Sequence, residues 1–212
     1  MDSFNFRPGG YRPWSTQPPR HGELPSTTKT PLKLIAFTGA GISVASGIPT
    51  FAEQPGIRDQ LSRAYADECP LEFNKLVADW QTRCSAAEPN DAHLVLAEHH
   101  VPVVTMNVDG LHGRAGSTDL IEVHGRLPNV VLYGDAAPEY QTALKFIDSL
   151  GYRGFVLLVV GVSGSTAFAE KFVKRARQRA FAVIDVNADA EVVVRRQVER
   201  LRAGICRVGE HS

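Results

Sequence analysis

A glycine pair directly after an apolar segment constrains the fold of this chain more than any other feature. Residues 32–37 are apolar apart from Lys33, and Thr38 leads from them into Gly39-Ala40-Gly41-Ile42-Ser43. A β-strand that runs into glycines and then into a residue able to open a helix is the phosphate-binding turn of α/β proteins. The glycines let backbone N–H groups approach anionic oxygens, and the helix N-terminus adds partial positive charge. The pattern indicates a nucleotide site, although a tight strand-to-helix turn without a ligand uses the same residues.

Beyond this turn, short apolar runs alternate with segments of helical periodicity. Residues 155–160 are continuously apolar, as in a strand that is covered on both faces. The alternation predicts an α/β fold, a Rossmann-like doubly wound parallel sheet with its ligand site beyond the carboxyl ends of the strands. The candidate strands are 32–38, 101–107, 120–123, 130–133, 155–161 and 181–187, with 205–208 as a further candidate, and the candidate helices are 71–86, 90–98, 140–150, 166–180 and 189–203.

Composition excludes several classes of partner. Lys and Arg number 23, as do Asp and Glu, so no overall field favours direct binding of nucleic acid or of an anionic membrane. No apolar run reaches the roughly 18 residues of a membrane-spanning helix, and the N-terminus lacks the pattern of a secretory signal, so a cytoplasmic location is expected. Cys69, Cys84 and Cys206 are odd in number and form no Cys-x-x-Cys pair, which argues against a disulfide framework and a structural zinc site.

The N-terminal part differs from the rest of the chain. Residues 1–31 hold six of the thirteen prolines and have no periodicity, which predicts a flexible proline-rich arm ahead of a single domain over 32–212. Small-lobe elements are expected at about 52–88. The aromatic residues of the arm offer a means of docking on the body or on a second copy of the chain, so homo-oligomerisation through the arm is an open prediction.

Further polar segments each follow a predicted strand. In a parallel sheet the carboxyl ends of the strands meet at one edge, so these segments are expected to converge on one crevice. They are Thr105-Met106-Asn107-Val108-Asp109-Gly110-Leu111-His112, Glu122-Val123-His124-Gly125, Gly161-Val162-Ser163-Gly164-Ser165 and Val186-Asn187.

Taken in order, these segments resemble the sirtuins, the Sir2 family of NAD-dependent protein deacylases. The resemblance covers about residues 32–203 and includes Gly39-Ala40-Gly41-Ile42-Ser43, Ser46-Gly47-Ile48-Pro49, Pro89-Asn90-Asp91-Ala92-His93 and the segments above. It implies that NAD is consumed, that nicotinamide is released, and that an acyl group passes from a lysine of a protein or peptide to ADP-ribose. Two alternatives stay open: an NAD glycohydrolase or ADP-ribosyltransferase, and an NAD or ADP-ribose sensor with weak or no catalysis.

The resemblance also implies roles for individual residues. His124 is the general base, because a neutral imidazole can accept a proton from a ribose hydroxyl at neutral pH. Asn107 orients the ribose or a water. Phe51 shields the reacting sugar carbon, and Ile48 and Asp109 hold the nicotinamide carboxamide. The full cofactor set is Gly39, Ala40, Gly41, Ser43, Ile48, Phe51, Asp109, Gly161, Ser163 and Asn187, and an extended peptide pairs with Tyr133, Gly134 and Asp135.

Several of these residues have simpler explanations. His124 also fits a hydrogen-bonded loop histidine, and Asp109 and Ser163 also fit helix caps. His93 and His112 are expected to be structural rather than catalytic.

The chain also departs from the family pattern. Sirtuins carry a zinc module with two Cys-x-x-Cys pairs after the His-Gly motif, whereas here Gly125 leads through Arg126 and Leu127 straight to Pro128. The prediction is a reduced small lobe without zinc and a weaker peptide cleft. Ala52 and Met106 replace an Arg and a Gln of the family, which predicts weaker NAD binding or slower turnover.

Overall fold

The structure is a computed structural model, and it describes residues 32–50, 53–54, 56–163, 166–187 and 189–209, with the backbone alone at 204–209. The predicted arm over 1–31 and the residues Phe51 and Ala52 lie outside the described part.

Within the described residues, the central sheet has five parallel strands. Across the sheet the order is β3 (Leu120–Glu122), β2 (Val103–Thr105), β1 (Lys33–Thr38), β6 (Phe155–Val160) and β7 (Ala182–Val186), so the first strand lies in the middle and the chain crosses over to each side of it. Lys33 lies opposite Phe155 and Ala36 opposite Val103. Strands β4 Gly125–Arg126 and β5 Asn129–Val130 form a separate antiparallel hairpin.

Helices cover both faces of this sheet. The described helices are α1 Ile57–Gln60, α2 Arg63–Glu68, α3 Pro70–Ala86, α4 Asp91–Glu98, α5 Leu111–Arg114, α6 Pro138–Ser149, α7 Ala167–Arg179 and α8 Ala190–Gly209, with a 3-10 helix at Ala40–Ser46. Successive residues of a strand point to opposite faces. Ile35 and Phe37 therefore pack with α6 and α7, whereas Leu34 and Ala36 pack with α4 and α8. The doubly wound α/β prediction is confirmed.

Two local predictions need correction. Of the expected strand at 130–133, only Val130 lies in a strand, the end of β5, because this strand pairs in a hairpin and not in the main sheet. The further candidate strand at 205–208 is wrong, since these residues continue α8. A short apolar run does not distinguish a strand from a helix, and Gly204 within a helix that is already formed is tolerated.

Helices α1, α2 and α3 lie between β1 and β2 in the chain. Ile48, Cys84 and Leu111 form a small buried cluster with Trp80 and Leu127 packed against it. This cluster joins α3 to the segments that follow β1 and β2. Within the described part of the chain, no helix combines the length and apolarity that a bilayer crossing requires.

Candidate active site

The glycine turn after β1 packs directly on the loop after β6. The Gly39 N–H donates to Val160 O and the Gly41 N–H donates to Gly161 O, both at 3.0 Å. A Cβ on Gly41 would lie 2.6 Å from Gly161 Cα, and Gly161 itself has a φ of +62°. Only residues without a Cβ allow this approach of two backbones. Two of the predicted cofactor loops are therefore in contact.

A buried polar cluster lies beside this turn. Ser43 follows the turn and is fully buried, and Asn107 and Asp109 follow β2. The Ser43 Oγ donates to Asp109 Oδ2 at 2.7 Å, and Asn107 Nδ2 donates to Ser43 Oγ at 3.1 Å and to Asp109 Oδ2 at 3.2 Å. Each side chain orients the other two, so the cluster behaves as one unit.

The Asp109 carboxylate can accept one hydrogen bond more than it does in the structure. Its Oδ1 accepts the Leu111 N–H at 2.9 Å, so Asp109 does cap the start of α5. Its Oδ2 accepts hydrogen bonds from both Ser43 and Asn107. A carboxylate oxygen has room for about two hydrogen bonds. This leaves Oδ1 able to accept one further donor, such as an amide N–H of a ligand.

Two buried histidines, His93 and His112, lie next to this cluster. His93 Nδ1 lies 3.1 Å from Asn90 Oδ1, and its Nε2 makes a longer 3.5 Å contact with Ser43 Oγ. His112 Nε2 lies 2.9 Å from Thr38 Oγ1, and the two imidazole rings are 4.8 Å apart. Burial lowers the pKa of His93 to about 4 and lowers the pKa of His112 well below its usual range. Both rings are therefore neutral at pH 7.

His124 follows β3 at the same edge of the sheet. Its Nδ1 lies 3.3 Å from the hydroxyl of Tyr140 on α6, and the two rings meet edge to face. Burial lowers the pKa of the His124 imidazole, so the ring is neutral at pH 7 and has one nitrogen lone pair available for a proton. Tyr140 was not foreseen from the sequence, since no motif marks a tyrosine in the first turn of a helix.

Comparison with known proteins identifies the family of this chain. A model of the Sir2 family matches residues 39–130. A protein of Aeropyrum pernix named NAD-dependent protein deacylase is 32% identical over 201 residues, covering 73% of this chain and 80% of the relative. This chain belongs to the Sir2 family. A Bacillus cereus relative named NAD-dependent protein deacetylase is also 32% identical, covering 66% of this chain and 75% of its own length.

Solved structures agree on the fold of this Sir2-family chain. The structure of a Sir2 homolog–NAD complex superposes with a TM-score of 0.74 at 24% identity, covering 84% of this chain and 92% of that one.

The predicted site residues follow the strands of the shared sheet. Gly39, Ala40, Gly41 and Ser43 follow β1, Asn107 and Asp109 follow β2, His124 follows β3, Gly161 and the exposed Ser163 follow β6, and the exposed Asn187 follows β7. Ile48 is buried beside α3, and Phe51 lies outside the described residues.

A tight hairpin of β4 and β5 follows His124 directly. Gly125 pairs with Val130 and Arg126 with Asn129, and Gly125 adopts a φ of +73°. The Arg126 guanidinium makes a bidentate pair with Glu122 at 2.9 Å. Among the described residues, no three His, Cys, Asp or Glu side chains are grouped to hold a metal. Backbone hydrogen bonds therefore close the hairpin, and one ion pair links it to the end of β3.

The predicted peptide-binding segment is already paired with another part of this Sir2-family chain. Tyr133 N–H donates to Leu61 O at 3.0 Å, and Arg63 N–H donates to Tyr133 O at 2.9 Å. The Arg63 guanidinium also donates to both carboxylate oxygens of Asp135, at 2.9 and 2.8 Å. Gly134 between them is exposed. The connection between α1 and α2 thus occupies the edge that Tyr133 presents.

A cavity of about 320 Å³ adjoins Asp109 on the side of α3. Cys84, Arg114 and Arg126 contribute to its wall, and Arg114 donates to the carbonyls of Cys84 and Ser85 at the end of α3. Burial raises the pKa of the Cys84 thiol to about 11, with Asp109 acting in the same direction, so the thiol is protonated and unreactive at pH 7. The cavity wall is thus of mixed polar and apolar character, and both of its arginines are engaged, Arg114 at the end of α3 and Arg126 with Glu122.

Proposed function

We propose that this chain is an NAD-dependent protein lysine deacylase, which releases nicotinamide and transfers the acyl group of a modified lysine to ADP-ribose. The observation that carries the proposal is a neutral imidazole, His124, at the same sheet edge as the Ser43, Asn107 and Asp109 cluster and the glycine turn. Relatives that are named NAD-dependent deacylases and deacetylases support it.

The residues after β1 and β2 fit the chemistry of NAD. Gly39, Ala40 and Gly41 bring the backbone close to where a pyrophosphate would lie. The one remaining acceptor position on Asp109 Oδ1 suits the N–H of a carboxamide, and Ile48 supplies a buried apolar neighbour. Ser163 and Asn187 extend the proposed site along β6 and β7, and Phe51 is assigned the shielding role by its position in the motif.

The proposed catalytic step is proton acceptance by His124. Because burial favours the neutral ring, the imidazole can take a proton from a ribose hydroxyl without first losing one to solvent. Asn107 is held by Ser43, so its amide can orient the ribose or a water with little loss of side-chain freedom.

The peptide is proposed to bind along Tyr133, Gly134 and Asp135, but not by adding as a strand along the whole of this segment. Tyr133 already uses its N–H and C=O on Leu61 and Arg63, so the exposed Gly134 is assigned the backbone pairing with a substrate. This same restriction favours a second candidate function. With less peptide-binding edge, water or another nucleophile would capture the sugar, which would make the chain an NAD glycohydrolase or ADP-ribosyltransferase.

Product analysis separates these functions. The protein is incubated with NAD, with and without acylated peptides, and the adenine-containing product is identified. O-acyl-ADP-ribose formed only with peptide supports the deacylase, ADP-ribose formed without peptide supports the glycohydrolase, and intact NAD with measurable binding supports a sensor. His124→Asn is expected to abolish acyl transfer and to spare NAD affinity. The matched control is His100→Asn, at an exposed histidine whose φ of +48° asparagine tolerates.

The remaining parts of the proposal are the absence of zinc, a cytoplasmic location and the role of the arm. Metal analysis of the purified protein tests the first, and cell fractionation tests the second. The free thiols of Cys69 and Cys84 are compatible with a reducing compartment. Comparing the oligomeric state of the full chain with that of a variant lacking residues 1–31 tests the third.

A further inference from the structure

A stack of aromatic rings leads from the sheet to His124. Phe37 on β1 meets Phe168 on α7 edge to face at 6.1 Å, and Phe168 stacks on Tyr140 at 4.3 Å with an interplanar angle of 28°. Tyr140 in turn meets His124 at 5.4 Å, with the ring planes 81° apart. Phe37 and Phe168 are buried in the main core, and the Tyr140 ring packs against that core, which fixes its position. Its hydroxyl is consequently placed by packing and not by the loop that carries His124.

That hydroxyl lies 3.3 Å from His124 Nδ1. A neutral imidazole carries its proton on one nitrogen, and the partner of the other nitrogen decides which one. A tyrosine hydroxyl can either accept a hydrogen bond or donate one. If it accepts, the proton resides on Nδ1 and the Nε2 lone pair is free. If it donates, Nε2 carries the proton and cannot act as a base.

We propose that Tyr140 is a positioning residue for His124, whose Oη accepts the Nδ1–H bond and so keeps the Nε2 lone pair free to take a proton. The inference deepens the proposed function and rests on it for its catalytic meaning, but the tautomer itself is a property of the protein without NAD. Nothing in the sirtuin motif specifies this tyrosine, since it lies on α6, sixteen residues beyond His124.

The electrostatic surroundings suit this arrangement. Burial raises the pKa of the Tyr140 hydroxyl, with Tyr133 acting in the same direction, so the hydroxyl stays neutral over the range in which a histidine titrates. Burial is the cause that lowers the pKa of His124. The nearest acidic side chain in sequence, Glu122, is paired with Arg126. From α6, Tyr140 faces the His124 ring, and its neutral hydroxyl adds no charge beside the imidazole.

The ¹⁵N chemical shifts of the His124 ring, measured on the full chain without NAD, test the inference directly. They distinguish a protonated from an unprotonated nitrogen, and His124→Asn assigns the signals. The expected result is a proton on Nδ1 in the wild type. A proton on Nε2 overturns the proposal. This measurement needs no variant at Tyr140 and no enzymatic activity, so it decides the question even if the chain proves not to be a deacylase.

Tyr140→Phe supplies the second test, because it removes the hydroxyl and keeps the ring stack. Losing an acceptor disfavours the charged imidazolium, so the His124 pKa should fall, and a rise would contradict the accepting role. We expect kcat at pH 7 to fall about fivefold, the size of one neutral hydrogen bond, with the KM for NAD unchanged. The matched control is Tyr152→Phe, at a tyrosine that is 73% exposed, and it should change neither the His124 shifts nor kcat. If acyl transfer is absent in the wild type while Nδ1 carries the proton, the proposed function fails and the positioning of His124 stands.

Discussion

Replacing Gly41 by alanine tests whether the contact between the first glycine turn and the loop after β6 is rigid. The added Cβ would lie 2.6 Å from Gly161 Cα and 3.1 Å from Gly161 O. Both atoms belong to backbone, so no flexible side chain can give way. Restoring an ordinary 3.4 Å contact with Gly161 Cα requires a shift of about 0.8 Å between two turns that are also joined by the Gly41 to Gly161 hydrogen bond.

The expected cost follows from overpacking. Inserting a methyl group into a well-packed site costs about 1–3 kcal/mol, so about 2 kcal/mol is expected here. For a chain of this size each kcal/mol lowers Tm by about 2–4 °C, which predicts a fall of about 4–8 °C. The displaced turn also belongs to the proposed NAD site, so the rise in Tm that saturating NAD produces should shrink in the variant.

Thermal unfolding with and without NAD measures both effects. The matched control is Gly151→Ala, where an added Cβ meets no atom within 4 Å and where the Tm should not change. If Gly41→Ala unfolds within about 1 °C of the wild type, well below the fall that overpacking predicts, the two turns are not rigidly packed and the argument fails. If the variant loses stability but keeps the full response to NAD, the turn is structural and the proposed cofactor role of Gly41 is wrong.

Three further predictions concern titration and the peptide segment. The acid limb of kcat/KM should lie below the usual histidine pKa of 6.5, because burial lowers the pKa of His124, and a limb above 6.5 in a pH profile would contradict this assignment. The free energy of unfolding should fall as the pH drops from 6.5 towards 4, because His93 is held neutral with a pKa of about 4 in the folded chain and binds a proton once unfolded. The difference between the two pKa values corresponds to roughly 3 kcal/mol. Urea titrations at several pH values should show that the free energy of unfolding depends more steeply on pH in the wild type than in His93→Gln, and equal slopes would contradict the assignment. Arg63→Ala should raise the KM for an acylated peptide, because it removes the ion pair that holds the Asp135 side chain in place, while Arg175→Ala, which breaks a similar pair with Asp148 between α6 and α7, should leave that KM unchanged.

The sheet was predictable because its strands are locally encoded. The six residues Phe155–Val160 are all buried, which a continuously apolar run before a glycine already indicates. The glycine turn was predictable for the same reason, since Gly39 and Gly41 follow β1 directly. By contrast, the short hairpin of β4 and β5 depends on the conformation of Gly125, and the pairing potential of 130–133 alone did not reveal which partner it would take.

The contacts that the sequence did not reveal are those between distant segments. Tyr140 reaches His124 only because α6 docks against α7 through Phe168, and Arg63 reaches Asp135 across 72 residues. Neither Tyr140 nor Arg63 belongs to a motif, and helix periodicity does not state which neighbouring loop a polar side chain will meet. The buried cluster of Ser43, Asn107 and Asp109 is intermediate: the motifs singled out all three residues, but their mutual hydrogen bonds became visible only in three dimensions.

The two halves of the proposed site are held by different kinds of interaction, and salt should separate them. The NAD side rests on backbone packing at Gly41 and Gly161 and on uncharged hydrogen-bond donors, the buried Ser43 and Asn107, which hold the partly buried Asp109. The peptide side rests on Arg63 and Asp135, of which Arg63 is about half exposed. Exposed ion pairs are weakened by added salt, whereas buried hydrogen bonds are screened much less. Raising the ionic strength with an uncharged acylated peptide should therefore raise the KM for the peptide before it changes the affinity for NAD, and Arg63→Ala should remove most of that salt dependence.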